Sequence, residues 1–536
     1  MTSLYFEREI NAPAVTTWAR LASVDKLHTL IAILTNAEVH TLAHPDETHE
    51  AVAVRDGRIV RVGDAYELAF LAGVDTQVVD CDGRVLLPGF VDAHTHLDTL
   101  GRKLVHADLS AAESRADALD ALRDRADDVP AGDPVVGFGY DEHAWGETAY
   151  LTREELDAVD AAGPVVAVRE DLHVASLDST ALDRFAGILP DDDVHRDGGD
   201  PTGVVVEAGV GAVLDALEPD REEMEVLLRA AQAYANERGV TGVHDMVRRS
   251  HAAGVYRDLA RDGDLTVRVR LNYWADHLDA LVETGLGTNH GAGLVRVGAL
   301  KTYTDGSLGG RTARLSTPYR DAPEERGTWT VPPTEFRELL DSATNAGFQV
   351  AAHAIGDEAV DEVVDAFGDV GDAAATRHRI EHAELADDAA IDRIADRGVV
   401  VSVQPNFHRW AGTGGLYADR LGDRRTETNR LRRLADAGVH LAFGSDCMPL
   451  DPLFGVHHAV NAPTPEQGLD VTEALRAYTL GSAYAGFDED RLGTVEPGKR
   501  ADLVVLDGSP WASPEAIDDI DVALTVVDGA VVYDGR

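Results

Sequence analysis

The sequence predicts an α/β fold in which a (β/α)8 barrel is joined to a small β-sandwich made from both chain ends. Three features of its 536 residues point there. Short apolar strands alternate with helical segments through the middle of the chain, β-rich stretches with tight turns occupy both ends, and one long segment interrupts the alternation.

The candidate barrel strands are "LLPGFVDAH", "GVTGVHD", "TVRVRLNYW", "VRVGALKTYTDG", "FQVAAHAIGD", "RHRIEHAEL", "GVVVSVQPNF" and "VHLAFGSD". They number eight, which closes a parallel barrel. Helices such as "REEMEVLLRAAQAYANERG" end in glycine just ahead of the next strand, as a helix C-terminus should. The sandwich is expected from "IAILTNAEVHTL", "AVAVRDGRIVRVG", "ADLVVLDG" and "VALTVVDGAVVYDG", where Asp-Gly between β-rich runs marks hairpins. The expected division is residues 28–88 with 491–536 for the sandwich and 89–490 for the barrel. Residues 98 to about 220 form an insertion after the first strand, set over the C-terminal face where substrate enters. Residues 1–27 form an N-terminal extension that stays unassigned; its "EREINAPAVTTWARL" faintly resembles the start of a START-like ligand-binding domain but is too short to be one.

Composition limits the partners. With 95 acidic against 48 basic residues the formal charge is −47, spread along the whole length, and nucleic acid is excluded because phosphate binding needs a basic face. So large a charge repels itself unless salt screens it, and the acidic composition resembles that of haloarchaeal proteins. No apolar run approaches a membrane span, and Cys81 and Cys447 lack a disulfide or metal-finger pattern, so a cytoplasmic protein is expected. A small-molecule partner is expected, with neither nucleic acid nor membrane, and a homodimer is one expected assembly.

Polar residues gather at the C-terminal ends of the candidate strands. They are His94 and His96 in "VDAHTHLD", Lys301 in "ALKTYTDG", His353 in "AAHAIGD", His382 in "RIEHAEL" and Asp446 in "AFGSDCMP". His94 and His96 are two apart and so point to one side of a strand. Any single histidine at a strand end is more often an ordinary hydrogen-bonded residue, but the joint placement indicates one metal site. Lysine is rare here, at positions 26, 103, 301 and 499 only, so Lys301 is expected to do something arginine cannot.

The phrases "PGFVDAHTH", "KTYTDGSLGGRTA", "HAIGDEAV", "RHRIEHAEL", "GSD" and "EPGKRADLVVLD" resemble the metal-dependent amidohydrolase superfamily, in particular its YtcJ-like branch, which includes N-substituted formamide deformylases. The resemblance implies a distorted (β/α)8 TIM barrel with the sandwich. It implies two divalent ions, most readily Zn2+: His94, His96 and Asp446 around the more buried one, His353 and His382 around the other, and a carboxylated Lys301 bridging them. A lysine desolvated beside cations is easily neutral and can add carbon dioxide. Pairing of Lys301 with Asp305 is the structural alternative, and Glu207 is the rival bridge. In the implied chemistry a metal-activated hydroxide attacks an amide carbonyl, and Asp446 takes the water proton and returns it to the departing nitrogen. His173 is an implied catalytic contact to the substrate carbonyl, and Tyr140 and Arg311 are candidate pocket residues. His244 could reach the pocket, His378 lies lower on its strand and is structural, and Cys447 is packing. Three functions stay open at this point: a two-metal hydrolase of small amides such as N-substituted formamides, a one-metal deaminase-type enzyme, and a metal-containing binding protein without turnover.

Overall fold

A computed structural model describes residues 31–536, except 46, 143–144, 146–148, 171–172, 249 and 372. The extension at 1–27 lies outside the described residues. All eight expected barrel strands form, as Phe90–Thr95, Val240–Val247, Arg268–Trp274, Val295–Tyr303, Val350–Ala354, Arg379–His382, Val400–Val403 and Leu441–Phe443. Each pairs in parallel with the next in chain order.

The circle is nearly closed. Among the described residues no ladder joins the eighth strand to the first; instead Asp446 N–H donates to His94 O at 2.8 Å, and Ser445 N–H donates to the Asp92 carboxylate at 3.0 Å. Gly444 permits this approach, since a Cβ there would sit 2.6 Å from His94 N.

Both chain ends build the flanking sheets, as expected. One sheet has Arg58–Gly63, Ala51–Arg55, Ile31–Thr35 and Gln77–Asp80; the other joins Val85–Pro88 and Glu38–His40 to the C-terminal strands Leu503–Leu506, Val522–Val527 and Ala530–Asp534. Leu34, Val52, Val54, Leu86, Leu503 and Val526 share their core. The Asp-Gly turns behave as the sequence signals: Asp56 and Gly57 have φ of 53° and 70°, and Asp528 and Gly529 have 52° and 82°, the left-handed pair that a two-residue hairpin needs.

The run "LLPGFVDAH" differs from expectation because it divides. Val85–Pro88 pairs with the C-terminal strand Leu503–Leu506, while Phe90 onward enters the barrel. The pivot is Gly89, where a Cβ would lie 2.2 Å from the Thr241 side chain.

The interruption after the first strand is a sheet of its own, ordered Val194–Asp197, Asp200–Val206, Val174–Leu177, Val165–Arg169, Val135–Tyr140 and Ala107–Asp108, with an apolar cluster on each side. The chain rejoins the barrel through the helix Arg221–Glu237, capped by the reciprocal Asp220 and Glu223 pair. Among the described residues no helix is long and apolar enough to cross a membrane.

Candidate metal centre

The parallel strands deliver their C-terminal ends to one place. His94 lies near the end of the first strand, Lys301 in the last part of the fourth, His353 in the fifth, and His382 ends the sixth. Among the described residues one group has metal-ligand geometry: atoms of His94, His382 and Asp446 all within 4.8 Å of one another. His96 joins through Asp446, its Nε2 being 3.3 Å from Oδ1, and His94 Nε2 is 3.7 Å from the same oxygen. The His353 ring centroid is 4.5 Å from that of His382. The compact trio therefore takes one member from each side of the expected division into two ligand sets, plus the aspartate.

Strand alternation alone would not bring these groups together. Glu381 and His382 are neighbours, yet Glu381 accepts from His94 Nδ1 at 2.7 Å while the His382 ring lies 4.9 Å from the His94 ring. A left-handed backbone at His382 and Ala383, with φ of 71° and 50°, turns both side chains inward. Asp446 and Cys447 repeat the device with φ of 54° each. Non-glycine residues held this way cost on the order of 1 kcal/mol each and persist where surrounding structure over-determines them.

Hydrogen bonds fix which nitrogen of each imidazole is free. His94 donates Nδ1–H to Glu381, and His382 donates Nδ1–H to Gln404 Oε1 at 2.7 Å, so in both rings Nε2 keeps its lone pair. His353 is reversed, with Nε2–H donated to Gly306 O at 2.9 Å and Nδ1 left buried without a partner. Burial pushes the pKa of His94 down to about 4 and that of His382 to about 3, and it takes His353 well below the usual range, so these rings are neutral. Burial works against ionised Asp446, but the His96 hydrogen bond and the charge on that ring outweigh it and hold the carboxyl well below the usual carboxylate range. That same contact outweighs burial at His96 and raises its pKa.

Lys301 is fully buried, and its Nζ has no hydrogen-bond partner. Its nearest described aromatic face is Tyr303, with Nζ 4.8 Å from the ring centroid. Burial brings its pKa down to about 8 despite the opposing pull of Glu381 and Asp446. The alternative Asp305 pairing is not made. That carboxylate accepts from the backbone N–H groups of Arg314, Ile355 and Gly356 at 2.8, 3.1 and 2.9 Å, tying the fourth-strand loop to the fifth. A buried amine and a buried imidazole lone pair, both unsatisfied beside an ionised carboxylate, leave donor atoms that a bound group would satisfy. The donor set of neutral imidazoles and a carboxylate fits a divalent ion of the zinc type.

The residues beyond this cluster are placed differently. His173 is exposed on the inserted unit, 3.1 Å from Glu207 Oε2, so the rival bridging glutamate pairs with the second expected catalytic residue. Tyr140 packs inside the core of that unit, its hydroxyl 3.1 Å from Ser176 Oγ and its ring against Trp145. Arg311 spends its guanidinium on Asp321 at 2.8 Å. His378 is structural, its Nδ1 accepting from Val350 N–H at 3.0 Å, and the Cys447 thiol accepts from His96 N–H.

Sequence reasoning missed Arg379 and Glu381 behind the cluster, and it set His244 toward the pocket rather than behind it. Arg379 clasps Glu381 through Nε at 2.8 Å and Nη2 at 3.0 Å, and its Nη1 donates to His244 Nδ1 at 2.8 Å. All three are buried. The available signal was a pair of opposite charges, Arg379 and Glu381, two apart on one buried strand.

A family model described as the amidohydrolase family matches residues 77–533. The chain belongs to the amidohydrolase family. It is 31% identical to the YtcJ protein of Bacillus subtilis (strain 168), over 92% of this chain and 98% of that one. It is 27% identical to the N-substituted formamide deformylase of Arthrobacter pascens, over 94% and 98%. A solved metal-dependent hydrolase from Pyrococcus horikoshii OT3 superposes with a TM-score of 0.78 at 30% identity, covering 91% of this chain and all but 1% of its own, or 99%. This family member is accordingly an enzyme, a metal-dependent hydrolase of carbon–nitrogen bonds.

Proposed function

We propose that this amidohydrolase cleaves a small amide, an N-substituted formamide or a close relative, with two divalent ions held by His94, His96, Lys301, His353, His382 and Asp446. Zinc suits these nitrogen and oxygen donors, and Lys301 serves as the carbamate bridge. The observation that supports this most is the pair of orphans, Lys301 Nζ and His353 Nδ1, each buried and unpartnered beside the compact trio. Similarity to a formamide deformylase supports the substrate class.

Ions bound there would lower the pKa of a water and polarise the substrate carbonyl. The chain's own groups do the rest. Asp446 stays ionised and open to the pocket, its side chain 21% exposed, so it can accept the proton of the attacking water and deliver it to the departing nitrogen. Glu381 and Gln404 hold the His94 and His382 tautomers that present Nε2. His173, exposed on the inserted unit, is the loop residue proposed to contact the substrate. A cytoplasmic setting agrees with two cysteines that are buried and unpaired.

The test is metal content by mass spectrometry on protein prepared with zinc and bicarbonate, beside hydrolysis of formamides, acylated amines and cyclic amides. Two ions per chain with formamide turnover is expected. A one-metal, deaminase-type enzyme has a specific observation in its favour, since His94, His382 and Asp446 suffice for one ion. One ion per chain, with Lys301 unmodified by mass, would decide for it.

A further inference from the structure

At the opposite, N-terminal end of the barrel a cavity of about 20 Å³ opens between the second, third and fourth strands, with His244, Arg268, Arg270, Arg296, Asp488 and Arg491 on its walls. Arg268 is balanced by Asp502 and Asp528, at 2.5 and 2.9 Å. The other three arginines share one acid: Asp488 lies 2.7 Å from Arg270, 2.9 Å from Arg491 and 3.7 Å from Arg296. Two positive charges are thus left over at this spot, in a chain with 95 acidic residues and only 48 basic ones.

Two donors with no described acceptor, on Arg296 and His244, line it. Arg296 Nε is buried without a partner. His244 accepts from Arg379 at Nδ1, so its proton is on Nε2. That atom and Arg270 Nε converge on Gly486, where a Cβ would lie 2.7 and 2.6 Å from them. Arg270 and Arg491 are both held below their ordinary pKa, first by burial and then by neighbouring arginines, against the opposing pull of Asp488. Like charges do not gather in a half-buried place without a counter-charge unless something else supplies it.

We propose that this cavity is a binding site for one small monovalent anion, chloride by size, held by Arg270, Arg296, Arg491 and the Nε2–H of His244. Its volume admits a particle about as large as a water molecule. The site lies at the foot of the hydrogen-bonded chain from His244 through Arg379 and Glu381 to His94, so its occupant braces the support of the metal centre from below.

Thermal unfolding of the metal-loaded protein, in sodium chloride against sodium gluconate at equal sodium concentration, tests this. Equal sodium keeps the screening of the acidic surface constant. In chloride Tm is expected to rise by about 2 °C per tenfold increase beyond a midpoint, as for any ligand bound only by the folded state. R491Q is expected to lose that difference while keeping the Tm of the gluconate series. Bromide-soaked crystals of the native protein are expected to give an anomalous peak between Arg296 and Arg491, which decides the matter should R491Q not fold. Identical chloride and gluconate series in the native protein, or only water density at that position in bromide, would overturn the proposal.

Discussion

Glu381→Gln is the sharpest probe of how the metal centre is supported. Glu381 Oε1 accepts from Arg379 Nε at 2.8 Å, and Oε2 accepts from both Arg379 Nη2 at 3.0 Å and His94 Nδ1 at 2.7 Å. A carboxamide has one acceptor where the carboxylate has two. In one orientation its NH2 faces Arg379 Nε–H, in the other it faces His94 Nδ1–H, and either way two donors collide in a buried site. Arg379 is also left without its counter-charge; removing one partner of such a pair costs about 3–5 kcal/mol. Metal affinity is expected to fall about 10–100-fold, the usual effect of disturbing the group that orients a ligating histidine. The assay pairs zinc competition against a chromophoric chelator with urea unfolding of the metal-free protein. Should E381Q bind zinc as tightly as the parent and unfold at the same urea concentration, the orienting role of Glu381 is wrong.

Lys301→Ala is expected to lower bound metal from two ions per chain toward one and to cut kcat/KM by more than about a hundredfold, with partial recovery in short-chain carboxylates that can occupy the bridge; metal analysis and turnover check this together. Asp446→Asn is expected to lower kcat by about a thousandfold, within the range for a lost proton-transfer group, measured at saturating substrate. His378 is neutral in the fold, burial placing its pKa near 4 against an ordinary 6.5. The unfolded chain therefore takes up its proton first on acidification. Its contribution is fully present above about pH 6.5 and is lost as the pH falls toward 4, roughly 3 kcal/mol in all. Urea unfolding of H378Q at pH 7 and pH 5 is expected to show a smaller acid loss than the parent. With a net charge of −47, the Tm is expected to climb steeply as salt rises from about 0.1 to 1 M, where the screening length shortens from about 10 to 3 Å, as scanning calorimetry can follow.

Most of the architecture was legible because it rests on local chemistry. Eight strands, the Asp-Gly hairpins and the capped helix Arg221–Glu237 follow from periodicity and turn residues that act within a few positions of themselves. The clustering of His94, Lys301, His353, His382 and Asp446 was legible because parallel strands must deliver their C-terminal ends to one face. Their grouping was not, since which imidazole approaches which depends on backbone angles that no residue type announces. His382 and Asp446 carry left-handed backbone, which histidine and aspartate tolerate better than most residues but adopt in only a small minority of places, so burial and long-range contacts decide it here. Tyr140 shows the opposite failure. An aromatic at a strand end has the composition of a pocket wall, yet its ring was needed to fill the inserted sheet's own core.

The eighth strand ties assembly of the barrel to assembly of the site. Its three residues, Leu441–Phe443, pair with the seventh strand but form no ladder with the first among the described residues. Closure is left to Gly444, whose bare Cα lets the chain approach His94, to Asp92, which accepts from Ser445 N–H, and to Asp446, whose N–H reaches His94 O. The left-handed turn that makes the last bond also swings the Asp446 carboxylate to 3.7 Å from His94 and 3.3 Å from His96. One backbone conformation therefore shuts the seam and brings the Asp446 carboxylate to His94 and His96. A cation held by those same side chains would tie the two edges of the seam together, so metal removal is expected to loosen the barrel first between its eighth and first strands. Amide exchange resolves this: on chelation, protection should fall at Asp446 and Ser445 before it falls at the fourth and fifth strands, and uniform loss across all eight would show that metal and closure are uncoupled.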